Sequence, residues 1–482
     1  MEQEKRKLRK VLDTGIALSK EKDRSRLLSM ILDASMDIAH CDAGTLYIYR
    51  EGFLNFRVMK TLSMQVDKGK NGEEIDLPPV PLMPENICAY TVLNRKPLLI
   101  DDVYTSKEFD FSGPLKYDSI TGYHTQSMLT IPLLNQEEEA VGVMQLINAM
   151  DDSGKITVFT EELERILLSL ASQATIAMTN IQYTEEIKAQ MWSFTEAMAE
   201  AIDTRTPYNA NHVRNVAVYA GKLADYINEL HEKGMENEFF SQGRREQLVL
   251  SALLHDMGKM AVPTKVMNKA TRLEEKWKEI QNRFQLFRLR YKIQFLEGKI
   301  SEENYLERIS CIDKVEALVS EVNGAGFLTD EKEEELKKAF LNEYSEEGEC
   351  IPFFTEEEKE ALLIKKGTLT EKEREIMESH VEMTERILKK VRFNSGYKDA
   401  PVWAVQHHEC LNGSGYPRHL TAEQLSLEAR ILAVADICDA LLATDRPYKK
   451  PIPREKAFAI MRDMAERGSI DGKLVGYLEQ CV

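Results

Sequence analysis

The sequence predicts a multidomain protein with an α+β domain first, a long linking helix next and an all-α domain last. Three observations support this prediction. At 482 residues the chain is too long for one ordinary hydrophobic core. Short apolar runs of strand length, rich in β-branched residues, cluster within residues 1–182. From Asn211 onward nearly every segment has a helical pattern.

The composition is that of a globular protein, with 43% apolar and 30% charged residues. A formal net charge of −17 argues against a nucleic-acid polymer or an anionic membrane as the main partner, although a local basic pocket can still hold a small phosphate ligand. Seven scattered cysteines without a CxxC pair are typical of reduced thiols. No signal peptide or membrane span is predicted, so we expect a cytoplasmic protein.

The first region, residues 1–182, is predicted to begin with one amphipathic helix over about residues 5–39. Five strand-like runs follow, each bounded by turn residues. They cover residues 45–49, 54–58, 97–100, 127–133 and 140–147. Sequential strands framed by helices indicate an α+β sensor-like domain.

Residues 160–203 have helical spacing of apolar residues without Gly or Pro, which predicts one long linking helix. Such a helix is usually a coiled coil or a linker, and we expect it to pair with its twin in a homodimer. The alternative is a long helix packed on its own domain. Residues 270–366 contain charged amphipathic patterns and no histidine, and we interpret them as a helical insertion in the last domain, residues 201–482.

The strongest local motif is the His255-Asp256 doublet, which follows an apolar helical run. A carboxylate has two oxygens and can bridge two cations, whereas an imidazole offers one lone pair to one cation. Asp256 is therefore the expected bridge and His255 a terminal ligand. Gly258 permits a sharp helix exit, and Lys259 places a positive charge where a phosphate can lie.

The second motif, His407–Pro417, is more specific. Its two adjacent histidines share one side of a helix only if the backbone turns between them, and burying such a pair is costly except on a metal. Gly413 and Gly415 predict an irregular loop that approaches a ligand closely. Further along, an apolar helix carries Asp436 and Asp439. A carboxylate in such a run is neutral, paired or metal-bound, and a surface position fits Asp439 better than Asp436.

With these motifs, residues 201–482 resemble the HD-GYP family, a subgroup of HD-domain metal phosphohydrolases that cleaves cyclic dinucleotides. Five separated motifs occur in the family's order. The matching positions are His212; His255, Asp256, Gly258 and Lys259; His380; His407, His408, Glu409, Gly413, Gly415, Tyr416 and Pro417; and Asp436 with the following tract Asp445–Lys449.

The resemblance implies a phosphodiesterase that hydrolyses cyclic di-GMP to linear pGpG, to GMP or to both, through a hydroxide activated by two metal ions. Two alternatives are open: hydrolysis of another cyclic dinucleotide such as cyclic GMP-AMP, or a metal-loaded receptor that binds the dinucleotide without turnover. The sequence does not discriminate guanine from adenine as the recognised base.

The resemblance also assigns roles. One ion would be held by His255, Asp256 and Asp436, and the other by Asp256, His380, His407 and His408, with His212 as a ligand or a close neighbour. Asp256 and Lys259 would be catalytic; Lys259, Arg446 and Lys449 would bind substrate phosphate; Gly413, Gly415, Tyr416 and Pro417 would form the substrate loop. Glu409 is expected to orient that loop rather than to bind metal.

Tyr208 stands where family members with three metals carry a glutamate, and a phenol is a poor ligand for the usual divalent ions. We therefore expect two divalent ions per chain. Mixed nitrogen and oxygen donors favour Fe or Mn, with Zn also compatible.

Residues 1–182 resemble a GAF domain, chiefly through residues 97–102 and 141–148. The pattern of GAF domains that bind cyclic nucleotides is not met, because Ala149 stands where that pattern has a lysine and Leu163 where it has an aspartate. A cavity for another small ligand and a purely dimerising role are the two alternatives. The combination implies a GAF-like dimer that regulates the metal site through the linking helix.

Overall fold

The computed structural model describes residues 2–205, 211–346, 349–443 and 452–482. The chain divides into two compact units, Met1–Gln190 and Met191–Val482. The two units are described in turn. No helix among the described residues is both long enough and apolar enough to cross a membrane.

The first unit alternates helices and strands. Its elements are α1 (Glu2–Lys20), α2 (Arg24–Ala39), β1 (Cys41–Arg50), β2 (Phe53–Thr61), β3 (Val66–Lys68), β4 (Val80–Pro81), α3 (Ile87–Asn94), β5 (Leu98–Ile100), α4 (Ser112–Thr121), β6 (Met128–Leu134), β7 (Ala140–Met150), β8 (Ile156–Thr157) and α5 (Glu161–Asp203). The predicted α+β class of this region is confirmed.

One antiparallel sheet organises the first unit, in the order β3-β2-β1-β7-β6-β5, with β4 paired to β2 and β8 to β7. Leu46 on the central strand β1 is opposite Val58 on β2 and Met144 on β7. Alternating side chains of β1 point to opposite faces, so each face builds its own core. One core packs against α1, α2 and the first part of α5, and the other against α3 and α4.

The helix predicted over residues 5–39 is wrong in one respect, because the chain forms two helices there. The Asp23 carboxylate accepts a hydrogen bond from the Arg26 backbone N–H at 2.8 Å and so caps the start of α2. An N-cap satisfies an amide that would otherwise lack a partner in the first turn, and it starts a new helix where the pattern of apolar residues runs on.

The linking helix is present as α5, 43 residues long. Its first turn carries Glu161, Glu162 and Glu164, whose negative charges favour the positive end of the helix dipole. The predicted limits of residues 160–203 differ from the observed ones by a single residue.

The second unit is mainly helical. Its elements are α6 (His212–Glu232), α7 (Gln242–Leu254), a 3₁₀ turn (Met257–Ala261), α8 (Thr264–Met267), α9 (Glu275–Leu296), α10 (Glu302–Asn323), α11 (Asp330–Ala339), β9 (Glu343–Glu346), β10 (Glu349–Pro352), α12 (Glu356–Leu362), α13 (Glu371–Glu378), α14 (His380–Leu388), α15 (Ala400–Ala404), α16 (Leu427–Leu442), α17 (Arg454–Glu466) and α18 (Gly472–Cys481).

The core of the second unit lies between α6, α7 and α16 to α18, with residues such as Val216, Leu248 and Leu432 fully buried. A neighbouring cluster joins Ile202, near the end of α5, to Leu254 of α7. Of these helices, α6 begins with His212, α7 is followed directly by His255, and α16 contains Asp436.

The insertion predicted over residues 270–366 has a core of its own, built from α9 to α12. It is not entirely helical, since β9 and β10 form a two-stranded antiparallel ladder. Arg272 is 1% exposed and donates to the backbone carbonyls of Val322, Ala325 and Ile364. The bonds to Ile364 connect the beginning of this segment to its end, and those to Val322 and Ala325 connect it to the end of α10 and the turn after it.

Candidate metal centre

The predicted ligands lie at helix ends or in the turns next to them, so backbone geometry sets their positions. His212 and His380 are the first residues of α6 and α14, and His255 follows α7 directly. His407 and His408 occupy the turn after α15, as their adjacency predicted. Only the aspartates of α16 project from a helix interior.

Three imidazoles are oriented in the same way. In each ring Nδ1–H donates to the backbone carbonyl three residues earlier: His255 to Ala252 O at 2.6 Å, His380 to Met377 O at 2.7 Å and His407 to Ala404 O at 2.7 Å. This bond fixes the tautomer that leaves Nε2 as an acceptor with a free lone pair.

The three Nε2 atoms are buried, and none has a hydrogen-bond partner among the described residues. Asp256 Oδ1 is also buried and also has no hydrogen-bond partner among the described residues. Buried polar atoms are normally satisfied, and each exception requires an explanation. Three lone pairs and one carboxylate oxygen, converging without partners, match the donor set of a bound cation. The residues therefore fit the metal that the sequence predicted.

The two oxygens of Asp256 face two different groups of histidines. Oδ2 lies 3.1 Å from His255 Nε2 and 3.4 Å from His212 Nε2. Oδ1 lies 3.5 Å from His380 Nε2 and 4.0 Å from His407 Nε2. A carboxylate placed in this way can contribute one oxygen to each of two adjacent cations.

Among the described residues, three groups have metal-compatible spacing, and in each the ligand atoms lie within 4.8 Å of one another. One consists of His212, His255 and Asp436, another of His380, His407 and His408, and the third, which connects these two, of His255, Asp256 and His407. The structure brings together all seven residues that the sequence predicted as ligands.

Asp439 corrects the sequence prediction, because it is buried rather than at the surface. Its Oδ2 lies 2.7 Å from His212 Nδ1, and its Oδ1 accepts a hydrogen bond from the Asn215 amide at 2.8 Å. Asp436 and Asp439 are three residues apart, a spacing that places both on one face of α16. This three-residue spacing was the feature of the sequence that could have placed Asp439 in the centre beside Asp436. For Asn215 the only signal was a position three residues after His212.

The charge states of the histidines differ. Burial lowers the pKa of His212, but hydrogen bonds with Asp256, Asp436 and Asp439 outweigh this effect and raise it to about 11. Burial lowers the pKa of His408 to about 4, and it also lowers the pKa of His380 and of His407. The imidazoles of this second group are thus neutral at physiological pH, the state in which they can ligate a metal.

Lys259 and its turn are held from two sides. The Lys259 ammonium lies 2.5 Å from Asp256 Oδ2. The Arg205 guanidinium donates to the carbonyls of Lys259 at 3.3 Å, of Met260, and of Val262 at 3.4 Å. Arg205 therefore ties the residues after α5 to the turn that carries the Lys259 charge.

Gly258 is required for a reason other than the predicted helix exit. A Cβ added there would lie 1.8 Å from the carbonyl oxygen of His380. The Gly258 N–H donates to Thr384 Oγ1 at 2.8 Å, and the same hydroxyl donates to the carbonyl of His255 at 3.1 Å. Gly258 lets the turn after α7 contact the start of α14, which brings His255 and His380 together.

The predicted substrate loop is irregular, as expected. Gly413 has a φ of 75°, a left-handed conformation that favours glycine, and the Tyr416 ring lies 4.8 Å from the His408 ring. The Glu409 carboxylate accepts backbone N–H groups of Arg418 at 2.7 Å and Leu420 at 2.9 Å. Glu409 thus holds the loop, the role expected from its sequence.

Three predicted positions lie outside the described residues. They are Tyr208, on which the two-metal prediction depends, and the phosphate-binding candidates Arg446 and Lys449. These predictions stay predictions.

Comparison with protein families gives three matches. A GAF domain model matches residues 23–178, and two HD domain models match residues 209–340 and 357–474. The chain contains a GAF domain and an HD domain. Both predicted resemblances are thereby confirmed at the level of the domain, and the HD domain contains all the candidate ligands.

Curated relatives match short stretches of the chain. The 3'3'-cGAMP-specific phosphodiesterase 3 of Vibrio cholerae is 44% identical over 103 residues, which cover 21% of this chain and 22% of the relative. The cyclic di-GMP phosphodiesterase response regulator RpfG of Xanthomonas campestris is 40% identical over 111 residues, 23% of this chain and 28% of the relative. The cyclic di-GMP phosphodiesterase of Thermotoga maritima is 41% identical over 113 residues, which cover 23% of this chain and 28% of the relative. The chain spans less than a third of each of these relatives.

Two solved structures are similar to part of the chain. The GAF domain of an Acinetobacter phosphoenolpyruvate-protein phosphotransferase has a TM-score of 0.29 at 14% identity, over 36% of this chain and 94% of that one. A GAF domain/HD domain protein from Geobacter sulfurreducens has a TM-score of 0.25 at 14% identity, over 34% of this chain and 98% of that one.

Proposed function

We propose that the HD domain is a cyclic dinucleotide phosphodiesterase that hydrolyses cyclic di-GMP to linear pGpG, to GMP or to both. The observation that carries this proposal is the position of Asp256, whose Oδ2 lies beside His255 and whose Oδ1 lies beside His380, two imidazoles with unpartnered Nε2 atoms. Phosphodiesterase names among the relatives that the chain matches support the reaction class.

Two divalent ions, Fe or Mn or else Zn, would be held by His212, His255, Asp256, His380, His407, His408 and Asp436. When bound, the ions supply Lewis acidity and a nucleophile at neutral pH. The residues of the chain do the positioning. Asp256 aligns the two ligand groups, and Glu409 keeps the substrate loop in place beside His408.

Lys259 provides charge for the phosphate. Its ammonium contacts Asp256, and the side chain as a whole is one-fifth exposed, so Lys259 can reach toward a phosphodiester beside that carboxylate. A cation at this place neutralises the non-bridging oxygens as negative charge develops on them. Arg446 and Lys449 are proposed for the same task from the sequence alone.

The test combines metal analysis with turnover. Protein purified without oxygen is expected to carry about two metal ions per chain and to convert cyclic di-GMP to linear product. Removal of the ions with a chelator should abolish turnover, and Mn or Fe should restore it. Tight dinucleotide binding by metal-loaded protein without product would contradict the enzyme and favour a receptor. A third stoichiometric ion would contradict the inference from Tyr208.

A second substrate is favoured by one specific observation, the match to the 3'3'-cGAMP-specific enzyme. In a direct competition of the two dinucleotides, a higher kcat/KM for cyclic GMP-AMP would move the proposal to that substrate while leaving the reaction unchanged.

We also propose that the GAF domain regulates this site. A cavity of about 280 Å³ lies on the α3 side of its sheet, with an apolar lining that includes Tyr47, Phe56, Val80 and Ile147, and it is suited to a small ligand. α5 joins the two domains without a break. Deleting residues 1–185 should change the rate or its response to ligands; unchanged rate, assembly and response would refute regulation.

We propose a homodimer formed through the GAF domain and α5. Four large apolar side chains on α5 are exposed at spacings of seven, four and seven residues, which fit a heptad seam: Ile176, Tyr183, Ile187 and Phe194. Ile187→Glu should shift the molar mass in solution from dimer to monomer, whereas Glu186→Gln should not. A wild-type monomer would contradict the proposal.

The seven free cysteines support a cytoplasmic location.

A further inference from the structure

A second cleft in the GAF domain, of about 500 Å³, lies at the end of β1. It shares no lining residue with the cavity on the α3 side. Residues of α2, β1, α3, β7 and α5 surround it, and three arginines are among them: Arg24 at the start of α2, Arg50 at the end of β1 and Arg95 just after α3.

The three guanidinium groups of the cleft are available to a ligand. Within the described residues, none of them forms an ion pair or a side-chain hydrogen bond. Some other arginines are paired, such as Arg245 with Asp225 and Arg283 with Glu358, whereas Arg57 and Arg386 are, in the same part of the chain, unpaired as these three are. The distinguishing feature of the cleft is that three such groups line one space.

The charges in the cleft repel one another. Burial lowers the pKa of Arg24, and the neighbouring Arg50 lowers it further, whereas Glu185 acts in the opposite direction. Among the lining residues the carboxylate is that of Glu139, which also accepts a hydrogen bond from the Asn135 amide. Three arginines and one glutamate give the lining a formal charge of +2. A bound dianion would relieve this repulsion.

The remaining lining describes the other part of the ligand. Ile48, Val92 and Met178 provide an apolar wall beside the arginines. Guanidinium groups bind phosphate in a bidentate manner, and the volume is in the range of small-molecule sites. We propose that this cleft binds a phosphate monoester whose organic part is apolar or aromatic.

Phenyl phosphate is the probe, and calorimetric titration of the full-length protein is the measurement. We expect one saturable site per chain at millimolar probe or below, with weaker binding of inorganic phosphate. Arg24→Gln with Arg95→Gln should weaken phenyl phosphate binding by about tenfold or more, because charge-assisted hydrogen bonds are lost. Arg165→Gln, which changes an exposed arginine already paired with Glu161, should leave it unchanged.

The HD domain is itself a candidate phosphate site, and Asp256→Ala separates the two. Binding that survives Asp256→Ala and is lost in the double arginine variant supports the proposal. No saturable binding to wild type, or binding lost in Asp256→Ala and kept in the double variant, overturns it. Where phenyl phosphate binds, co-sedimentation with phosphatidic acid vesicles but not with phosphatidylcholine vesicles identifies a lipid headgroup as the source, and its absence identifies a soluble ester.

Discussion

The histidines of the candidate metal centre are held by two different means. His255, His380 and His407 are each oriented by a backbone carbonyl, whereas His212 is oriented by the side chain of Asp439. A carbonyl is present whatever the side chain at that position. A single side-chain substitution at Asp439 can therefore remove the orientation of His212, whereas the three carbonyl-held histidines lose theirs through movement of the backbone.

The largest effect is expected at the residue that both sides share. Asp256→Asn removes the charge between the two groups of imidazoles, so metal content should fall on both sides and turnover should reach the level of metal-free protein. Elemental analysis and product chromatography measure the two effects. Asp463→Asn, at a surface carboxylate paired with Arg467, is the control and should retain both. A variant that kept two ions would show that Asp256 is not the bridge.

Gly258→Ala should have the second largest effect, on the histidines that backbone carbonyls orient, because the new Cβ would lie 1.8 Å from the carbonyl of His380. A displacement near 1 Å at a catalytic group costs about 100-fold in rate. Overpacking also costs about 1–3 kcal/mol of unfolding free energy, which thermal denaturation detects. Gly243→Ala, on α7 where an added Cβ meets nothing within 4 Å, is the matched control. Equal rates for the two variants would refute the close-contact explanation.

Asp439→Ala tests His212, the histidine that a carboxylate orients. Loss of the partner that orients a ligand histidine typically lowers metal affinity or activity about 10- to 100-fold. We expect competitive chelator titration to show weaker binding of one ion and unchanged binding of the other. Weakening of both ions alike would mean that Asp439 acts on the fold as a whole.

Asn215→Ala should give the smallest effect. Asn215 touches the centre only by donating to Asp439, so its removal leaves the His212 contact in place. Severalfold weaker metal binding is the expected result, well below that of Asp439→Ala. An effect as large as that of Asp439→Ala would show that the amide, rather than the carboxylate, fixes His212.

The candidate ligands, which the structure brings close together, could be found in the sequence because each belongs to a short motif whose spacing reflects local backbone geometry. His407 and His408 required a turn between them, and a turn is present after α15. Asp439 was misplaced because its environment depends on α6, which is distant in sequence. The requirement at Gly258 escaped prediction for the same reason, since the atom it must avoid belongs to His380.

The fold was predictable to a similar degree. Five of the eight strands of the GAF domain and the limits of α5 followed from local periodicity, whereas the two- and three-residue strands β3, β4 and β8 were not predicted. The break between α1 and α2 depended on one capping residue, Asp23, inside a continuous amphipathic pattern. The ladder of β9 and β10 lies in a strongly charged segment, where burial of Tyr344 in the core of the insertion favours strand structure over helix.

The insertion enters and leaves the HD domain at nearly the same point. Thr368 Oγ1 donates to the carbonyl of Lys269 at 3.0 Å, and the Lys269 ammonium lies 2.6 Å from Glu373. Closing a chain whose ends already meet requires little rearrangement. If residues 270–366 are the insertion that the sequence predicts, we expect a short glycine-rich bridge in their place to join α8 to α13 and to leave the ligand-bearing helices where they are.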